Sequence, residues 1–107
     1  MSNLEQRFAA SIERYGESFS VDGSSRKGVF MVLSASRAMS YLEESLVLAM
    51  PRPIRSAFVL ASDPTTVDDT VSLDGQDLTV RFAQPVKAEG IVVAKMLILS
   101  LGSLGGP

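Results

Sequence analysis

The sequence predicts a mainly β protein: a small antiparallel β-barrel or sandwich with a short N-terminal α-helix and a long inter-strand loop. Apolar and polar residues alternate on both sides of Asp74 and Gly75, which is the strongest local signal for a β-hairpin. A second alternating stretch covers residues 17–33, and residues 91–101 are almost entirely apolar, as in a strand covered on both faces. A chain of 107 residues is expected to form a single domain.

Residues 3–15 are predicted to form an amphipathic helix. Ser2 and Glu5 have the spacing of an N-terminal capping box, and Gly16 is a suitable C-terminal cap. A helix of this length is not stable alone, so it is expected to dock on the sheet or on a neighbouring subunit. Its apolar stripe consists of Leu4, Phe8, Ile12 and Tyr15.

Residues 17–33 are predicted to form a hairpin whose turn lies at residues 22–25. The apolar run at residues 29–33 is expected to be buried on both faces. Arg26 and Lys27 lie side by side before this run. They allow a small anion site, but a solvated strand edge is the favoured interpretation.

Residues 34–53 are expected to form a long loop between strands, and two conformations fit its central part. Ser40 is a candidate N-cap for a short helix, whereas residues 46–50 also fit a short strand. Pro51 and Pro53 end either element. Insertions of this length in a small barrel are uncommon and are usually functional or mobile.

Residues 54–101 are predicted to continue the barrel. A strand at residues 54–61 is followed by a turn at residues 62–65. Asp68 and Asp69 are expected to lie in a solvated turn, because neighbouring residues of a strand point to opposite faces and do not converge on one reacting group.

The hairpin at Asp74 and Gly75 is predicted to pair Leu73 with Gln76. With that register, Phe82 is expected on the same face as four other apolar residues of the hairpin. These are Val71, Leu73, Leu78 and Val80.

The strand after this hairpin is expected to end at residues 83–85, and the chain returns through residues 86–90. The last strand, residues 91–101, needs a cover on each face, which is the barrel and its helix or a second copy of the chain. Residues 102–107 are expected to form a flexible tail.

The composition excludes several kinds of site. The chain has no cysteine and no histidine, which removes disulfides, thiol nucleophiles, histidine-based triads and the usual zinc sites. No catalytic residue, metal site or cofactor is predicted, and the protein is not expected to be an enzyme. The formal net charge is −2, from 10 basic and 12 acidic residues, so no basic field favours a phosphate backbone.

The N-terminal residues are polar and mixed, without the pattern of a secretory signal. The longest apolar run is interrupted by Lys95 and falls short of the roughly 20 residues that span a bilayer. The sequence therefore predicts a soluble protein made in the cytoplasm, without a membrane partner.

The order of elements and two local motifs resemble a known family. The motifs are Lys27-Gly28-Val29-Phe30 and the hairpin at residues 69–81, which runs Asp-Thr-Val-Ser-Leu-Asp-Gly-Gln-Asp-Leu-Thr-Val-Arg. Together with the long loop, the turn at Pro85 and the final Leu-rich strand, they resemble the small head-closure, or stopper, proteins of tailed bacteriophages. These are also called head-tail joining proteins. The resemblance covers residues 16–101.

This resemblance implies a structural virion component without enzymatic activity, located at the head-tail interface. The family forms a homo-oligomeric ring beneath the portal and adaptor proteins, for which six-fold symmetry is one option. The ring closes the channel after DNA packaging and offers a docking surface to tail proteins. Contact with packaged DNA is a further expectation.

The family's long inter-strand loop projects toward the channel, and residues 34–53 correspond to it here. The residues expected to contact the channel, DNA or neighbouring rings are Ser36, Arg37, Met39, Tyr41, Glu43, Glu44 and Arg52. Their mixed charge suits pairing between subunits better than a grip on phosphates. The apolar helix stripe and the last strand supply the candidate subunit interface, which consists of Leu4, Phe8, Ile12, Ile91, Val93 and Leu97.

Three alternatives stay open. One is another connector or tail-completion ring protein, and another is a monomeric adaptor. The third is a nucleic-acid-binding barrel of the OB type, which needs aromatic and basic residues on one sheet face. Arg81 and Lys95 are sparse, and Phe30, Phe58 and Phe82 fall on apolar faces, so core packing is the favoured role for these aromatics.

Overall fold

Six antiparallel strands form a closed barrel in the computed structural model, which describes residues 3–102. Around the barrel the strands follow the order β1-β2-β3-β6-β5-β4. The predicted mainly β fold with an N-terminal helix is therefore confirmed. The elements are α1 (Asn3–Tyr15), β1 (Glu17–Val21), β2 (Ser24–Leu33), α2 (Ala35–Ala38), α3 (Glu44–Ala49), β3 (Ile54–Val59), β4 (Thr70–Leu73), β5 (Gln76–Ala88) and β6 (Ile91–Leu101).

Three of the strand connections are two-residue hairpin turns in which both residues have positive φ, as in a type I′ turn. In the central hairpin Leu73 pairs with Gln76, so its predicted register is confirmed. The turn predicted at residues 22–25 is shorter than expected, because Ser24 already pairs with Val21. The turn residues are Asp22 and Gly23, Asp74 and Gly75, and Glu89 and Gly90.

The barrel interior is a hydrophobic core drawn from all six strands, which we call the inner core. Gly28 lies on its wall, where an added Cβ would come within 3.1 Å of the Phe19 ring and of Val59. Glycine there allows Phe19 and Phe30 to stack edge to face, with ring centroids 5.5 Å apart. The buried members of the inner core are Phe19, Val21, Ala57, Val59, Val71, Leu73, Leu78, Val80, Leu97 and Leu99.

A bulge in β5 changes the predicted position of Phe82. Val80 pairs with Leu99, but Phe82 pairs with the adjacent Ile98, so Arg81 is the extra residue. The bulge reverses the alternation beyond Val80, and Phe82 packs outside the barrel. The prediction that Phe82 shares a face with Val80 is therefore wrong.

A second hydrophobic cluster, which we call the outer core, lies on the outer face of β3, β5 and β6 under α2 and α3. The segment between β2 and β3 thus contains two short helices, and the short-strand alternative at residues 46–50 is wrong. The predicted cap Ser40 is wrong, because α3 begins at Glu44 with Glu43 as its N-cap and has no side-chain cap. The helix α2 is capped by Ser34, whose Oγ accepts a hydrogen bond from the amide of Arg37 at 3.2 Å. Buried members of the outer core are Ala38, Val47, Met50, Ile54, Met96 and Ile98.

β6 is buried on both faces, as its sequence predicts. Leu97 and Leu99 belong to the inner core, whereas Met96 and Ile98 belong to the outer core. Both covers of this part of the strand come from the chain itself.

β5 continues to Ala88, past the end predicted at residues 83–85. β4 pairs with β5 only as far as Thr79, so the later part of β5 is an edge on that side. Pro85 is compatible with an edge because its missing N–H is not needed for a second ladder.

The apolar end of β2 is not buried on both faces, contrary to prediction. Met31 is 48% exposed and Val32 is 68% exposed. β3 also ends earlier than predicted, at Val59, and Leu60 is exposed.

The helix α1 docks on the sheet, with neighbours in β6 and β2, and Ile12 is its buried residue. It ends at Gly16, whose amide donates to the Ile12 carbonyl at 2.8 Å. A Cβ at this glycine would lie 2.3 Å from that oxygen, so a side chain requires the backbone to move. The predicted cap Ser2 and the tail beyond Gly102 lie outside the described residues. Within residues 3–102 no helix is both long and apolar enough to cross a membrane.

Candidate functional site

The connection between β3 and β4, residues 60–69, crosses one end of the barrel. β3 and β4 lie on opposite sides of the closed strand order, so the chain passes over an end to join them. Asp63 and Thr65 of this connection are buried, although the residues around them are polar. They meet two cations that reach the same end from the barrel wall, Arg26 of β2 and Lys95 of β6. We call these four residues the end cluster.

The sheet register positions the two cations of the end cluster. Arg26 lies opposite Phe19 in the β1–β2 ladder, and Lys95 lies opposite Val59 in the β3–β6 ladder. Directly opposed residues share a face, so both cations start from the inner face of the barrel. They lie between the apolar inner core and the polar β3–β4 connection.

Hydrogen bonds connect every member of the end cluster. Arg26 Nη1 donates to Asp63 Oδ1 at 3.2 Å and to Thr65 Oγ1 at 2.6 Å. Asp63 Oδ1 also accepts from the amide of Thr65 at 2.9 Å and from its hydroxyl at 2.5 Å. Lys95 Nζ donates to the backbone carbonyls of Asp63 and Thr65. The cluster thus fixes the connection to two strands.

Burial lowers the pKa of Lys95, the largest effect on this group. The carboxylates of Asp63 and Asp69 oppose that effect by favouring the ammonium form, whereas Arg26 adds to the lowering. The ammonium group is nevertheless matched by two carbonyl acceptors. Within residues 3–102, no buried side-chain nitrogen or oxygen lacks a hydrogen-bond partner.

The end cluster corrects two predictions. Residues 62–65 form more than a surface turn, because Asp63 and Thr65 are buried there. Arg26 is neither part of a solvated edge nor a free anion site, since it is paired with Asp63. One sequence signal pointed to the cluster: Lys95 is the only charge in the last strand and alternates with its inward-facing apolar residues.

Asp68 and Asp69 fasten the same connection to β5. The Asp68 amide donates to the Val80 carbonyl at 2.9 Å, and the Val80 amide donates to the Asp69 carbonyl at 3.0 Å. Asp69 Oδ2 accepts from the amide of Thr66 at 2.9 Å. Across residues 3–102, no group of three or more acidic residues is placed to hold a metal ion.

A polar depression of about 460 Å³ lies beside the end cluster. Its size is in the range of small-molecule sites, which are mostly apolar with a few convergent polar groups. Here seven of the nine lining residues are polar or charged, and the charges are Glu13, Arg26, Lys27 and Asp63, two of each sign. Arg26 and Asp63 already bind each other, so the depression offers no unbalanced charge to a ligand.

An apolar groove runs over the outside of the barrel between α1 and residues 34–53, which we call the α2–α3 segment. One depression of about 210 Å³ lies against α1, and another of about 110 Å³ lies against α2. Phe58 lines both, and Phe8 continues the first along α1 toward Arg7. We call this surface the outer groove; its main lining residues are Arg7, Phe8, Ile12, Val29, Met31, Arg37, Tyr41, Phe58 and Met96.

The charges of the outer groove have one sign. Arg7 lies at the α1 end and Arg37 at the α2 end, and no acidic residue is among the lining residues that the structure describes. Neither arginine forms an ion pair with another described residue, since the one such pair is Arg26 with Asp63. Exposed apolar side chains such as Met31 and Phe8 lie between them. This surface suits another protein chain better than a small ligand.

All seven residues predicted to make channel contacts are exposed: Ser36, Arg37, Met39, Tyr41, Glu43, Glu44 and Arg52. They lie on or beside two short helices that pack on the barrel, rather than on a loop that extends away from it. The Tyr41 ring contacts Phe82, with centroids 5.6 Å apart. Arg37 and Tyr41 line the outer groove, while Glu43 and Glu44 begin α3.

The predicted subunit interface is divided by the fold. Val93 and Leu97 are buried within the chain, so they are not available to a partner, and Ile12 is buried with only its edge reaching the outer groove. Leu97 in particular belongs to the inner core, because it follows Lys95 on the inward face of β6. Phe8 and Ile91 are exposed, and Leu4 lies beside Arg7 at the end of the outer groove.

The residues that an OB-type nucleic-acid site would use are engaged inside the chain. Phe58 and Phe82 pack against the outer core, and Phe30 packs against the inner core. Arg81 Nε donates to Ser100 Oγ at 2.9 Å, and its Nη2 donates to the Gly102 carbonyl. Burial lowers the pKa of Arg81, while Asp68 opposes this change.

Comparison of the chain with protein-family models, curated proteins and solved structures gave no match.

Proposed function

We propose that this protein is a structural component of the head-tail connector of a tailed bacteriophage. In this role it forms a ring that closes the DNA channel after packaging and provides a surface for tail docking. The proposal is for a binding and assembly function without a catalytic step. Its setting is the virion, with portal or adaptor proteins on one side and tail proteins on the other.

One observation carries the proposal: the surfaces suited to contact lie outside a closed barrel whose interior is filled by side chains. The inner core occupies the space in which a larger barrel holds a ligand. The outer groove, in contrast, combines apolar side chains with arginines, and the exposed residues of the α2–α3 segment carry charges of both signs. Exposed apolar surface of this kind is typical of protein interaction sites.

The α2–α3 segment supports the channel role through its charge balance. Arg37 and Arg52 are exposed together with Glu43 and Glu44, so neighbouring copies can pair through opposite charges. Such contacts close a channel without a strong, salt-dependent grip on passing DNA. The barrel, fastened by its end cluster, serves as the rigid support.

The direct test is cryo-electron microscopy of phage particles assembled in the bacterial host with and without this chain. We expect a ring of this protein at the head-tail vertex, and particles without it that package DNA but lose it. Density in another part of the particle, or particles that keep their DNA without the chain, would contradict the proposal.

A variant test examines the α2–α3 segment itself. Deleting the whole segment is unsuitable, because Val47 and Met50 cover the outer core. We therefore choose the combined change Glu43→Ser, Glu44→Ser and Arg52→Ser, which affects exposed residues only. Particles with this variant should lose DNA, whereas the control Glu17→Ser, an exposed acidic residue of β1, should leave them closed.

A further inference from the structure

We infer that the outer groove binds the exposed face of α3 from a second copy of this chain. The inference deepens the proposed function and rests on it for its setting, because a ring requires contacts between copies. It assigns the two complementary surfaces, one on each copy, that make this contact.

The groove defines the chemistry of its occupant. Its floor is apolar, with Val29 and Phe58 between α1 and α2, and at each end lies an arginine that forms no ion pair within residues 3–102. An occupant therefore needs an apolar side chain accompanied by acidic residues. The three depressions along the groove, of about 290, 210 and 110 Å³, are shallow and open and follow one another along its length, which suits several side chains of another protein better than one enclosed small ligand.

The exposed face of α3 carries that combination. Leu48 is 62% exposed, and Glu44 lies one helical turn before it on the same face. Glu43, also exposed, adds a second carboxylate at the start of the helix. Leu48 is therefore an apolar side chain that α3 presents to solvent while the opposite side of the helix covers the outer core.

The occupant must come from another copy. Val47 and Met50 hold α3 on the outer core, so Leu48 cannot turn inward. Leu48 is also not among the residues that line the groove of its own chain. Because the groove and the α3 face are different surfaces, the contact is head to tail, the type of interface from which rings are built when the rotation between copies closes.

Crosslinking of the isolated protein tests this contact, since a chain without cysteine accepts single reporter cysteines cleanly. One protein carries Met31→Cys in the groove, and a second, with a size tag, carries Leu48→Cys on α3. Mixing them with a short bis-maleimide at high protein concentration should give the mixed dimer. A protein with Val67→Cys, exposed in the β3–β4 connection, replaces the α3 variant as the control.

Charge reversal makes the test specific. Arg37→Glu in the groove protein should lower the yield of mixed dimer roughly 2- to 5-fold, the range of an exposed ion pair. Glu44→Arg in the α3 protein should restore it. Circular dichroism verifies that these surface variants stay folded.

Three results would overturn the inference: equal crosslinking of the Val67→Cys control, equally fast crosslinking between two groove proteins, or no restoration by Glu44→Arg. Crosslinking tests the assigned surfaces, and particle microscopy tests the proposed function, so either can be refuted without the other. A ring at the head-tail vertex without the mixed dimer refutes the assigned surfaces alone, whereas the mixed dimer without such a ring refutes the proposed function alone.

Discussion

The inner core and the outer core have the same chemistry but differ in how completely they are covered. All ten buried members of the inner core lie behind a closed ring of strands, and the end cluster covers one of its ends. The outer core is covered only by two short helices, and partly buried side chains such as Leu46, Phe58 and Val86 surround it. Its margin continues into the outer groove.

This difference in coverage gives the two regions different roles. A fully closed core contributes to stability through all of its side chains, whereas a half-covered one leaves apolar area for a partner. We therefore expect substitutions in the barrel interior to change the free energy of unfolding. Substitutions on the exposed side of α3 and in the groove should change assembly instead.

The largest effect is expected for Leu97→Ala in the inner core. Leu97 is fully buried, so its truncation removes apolar contacts and leaves a cavity, at a cost of about 2–5 kcal/mol in the free energy of unfolding. Urea denaturation followed by circular dichroism measures this loss. The matched control is Leu48→Ala, the same change on the exposed face of α3, which should stay within about 0.5 kcal/mol. Equal losses for the two variants would contradict the inference that the inner core, and not the exposed face of α3, determines stability.

A smaller loss is expected for Asp63→Ala in the end cluster. The change removes the acceptor of Arg26 and of the Thr65 amide and hydroxyl, and groups left unpaired cost about 1–3 kcal/mol. Adding Arg26→Met should recover part of that loss, because it removes the unpaired cation. Urea denaturation of both single variants and the double variant gives the coupling energy. Strict additivity would show that Arg26 and Asp63 act independently.

The pH dependence of stability tests the role of Lys95 at the same end of the barrel. Burial lowers the pKa of Lys95 in the folded state from its ordinary value of 10.5. The unfolded chain then binds more protons than the folded chain just below pH 10.5, so this group makes folding more favourable as the pH rises through that window. We expect the unfolding free energy of the wild type, minus that of Lys95→Met, to increase as the pH rises there. A difference that falls with rising pH would show that the paired ammonium form dominates.

The barrel could be predicted from the sequence because the patterns that indicate its strands and turns are local. The turn at Asp74 and Gly75 requires positive φ at both positions, and the alternation around it leaves one register with a buried face. The two-sided burial of β6 follows in the same way from an apolar run. These features depend on residues that are near one another in the chain.

The features that the sequence did not predict depend on long-range contacts. Phe82 faces outward because of a bulge opposite β6, and nothing in the local alternation indicates the extra residue at Arg81. Arg26 and Asp63 are 37 residues apart, so their pairing appears only when the connection crosses the barrel end. The exposed surfaces were predicted in part: Arg37, Tyr41 and Glu44 are accessible, but their support by packed helices depends on the outer core.

The smallest effect is expected at Glu89, in a turn that belongs to neither core. Glu89 has a φ of 53°, a left-handed conformation that costs most side chains roughly 1–2 kcal/mol and that asparagine adopts more readily. Glu89→Asn should therefore raise the free energy of unfolding by about 0.5 kcal/mol, a part of that strain. Glu89→Gln is the matched control, because it removes the same charge without relieving the backbone. An equal gain in both variants would assign the effect to charge. A gain confined to asparagine would show that backbone conformation in this turn lowers the free energy of unfolding. In the inner core, by contrast, the burial of side chains determines that free energy.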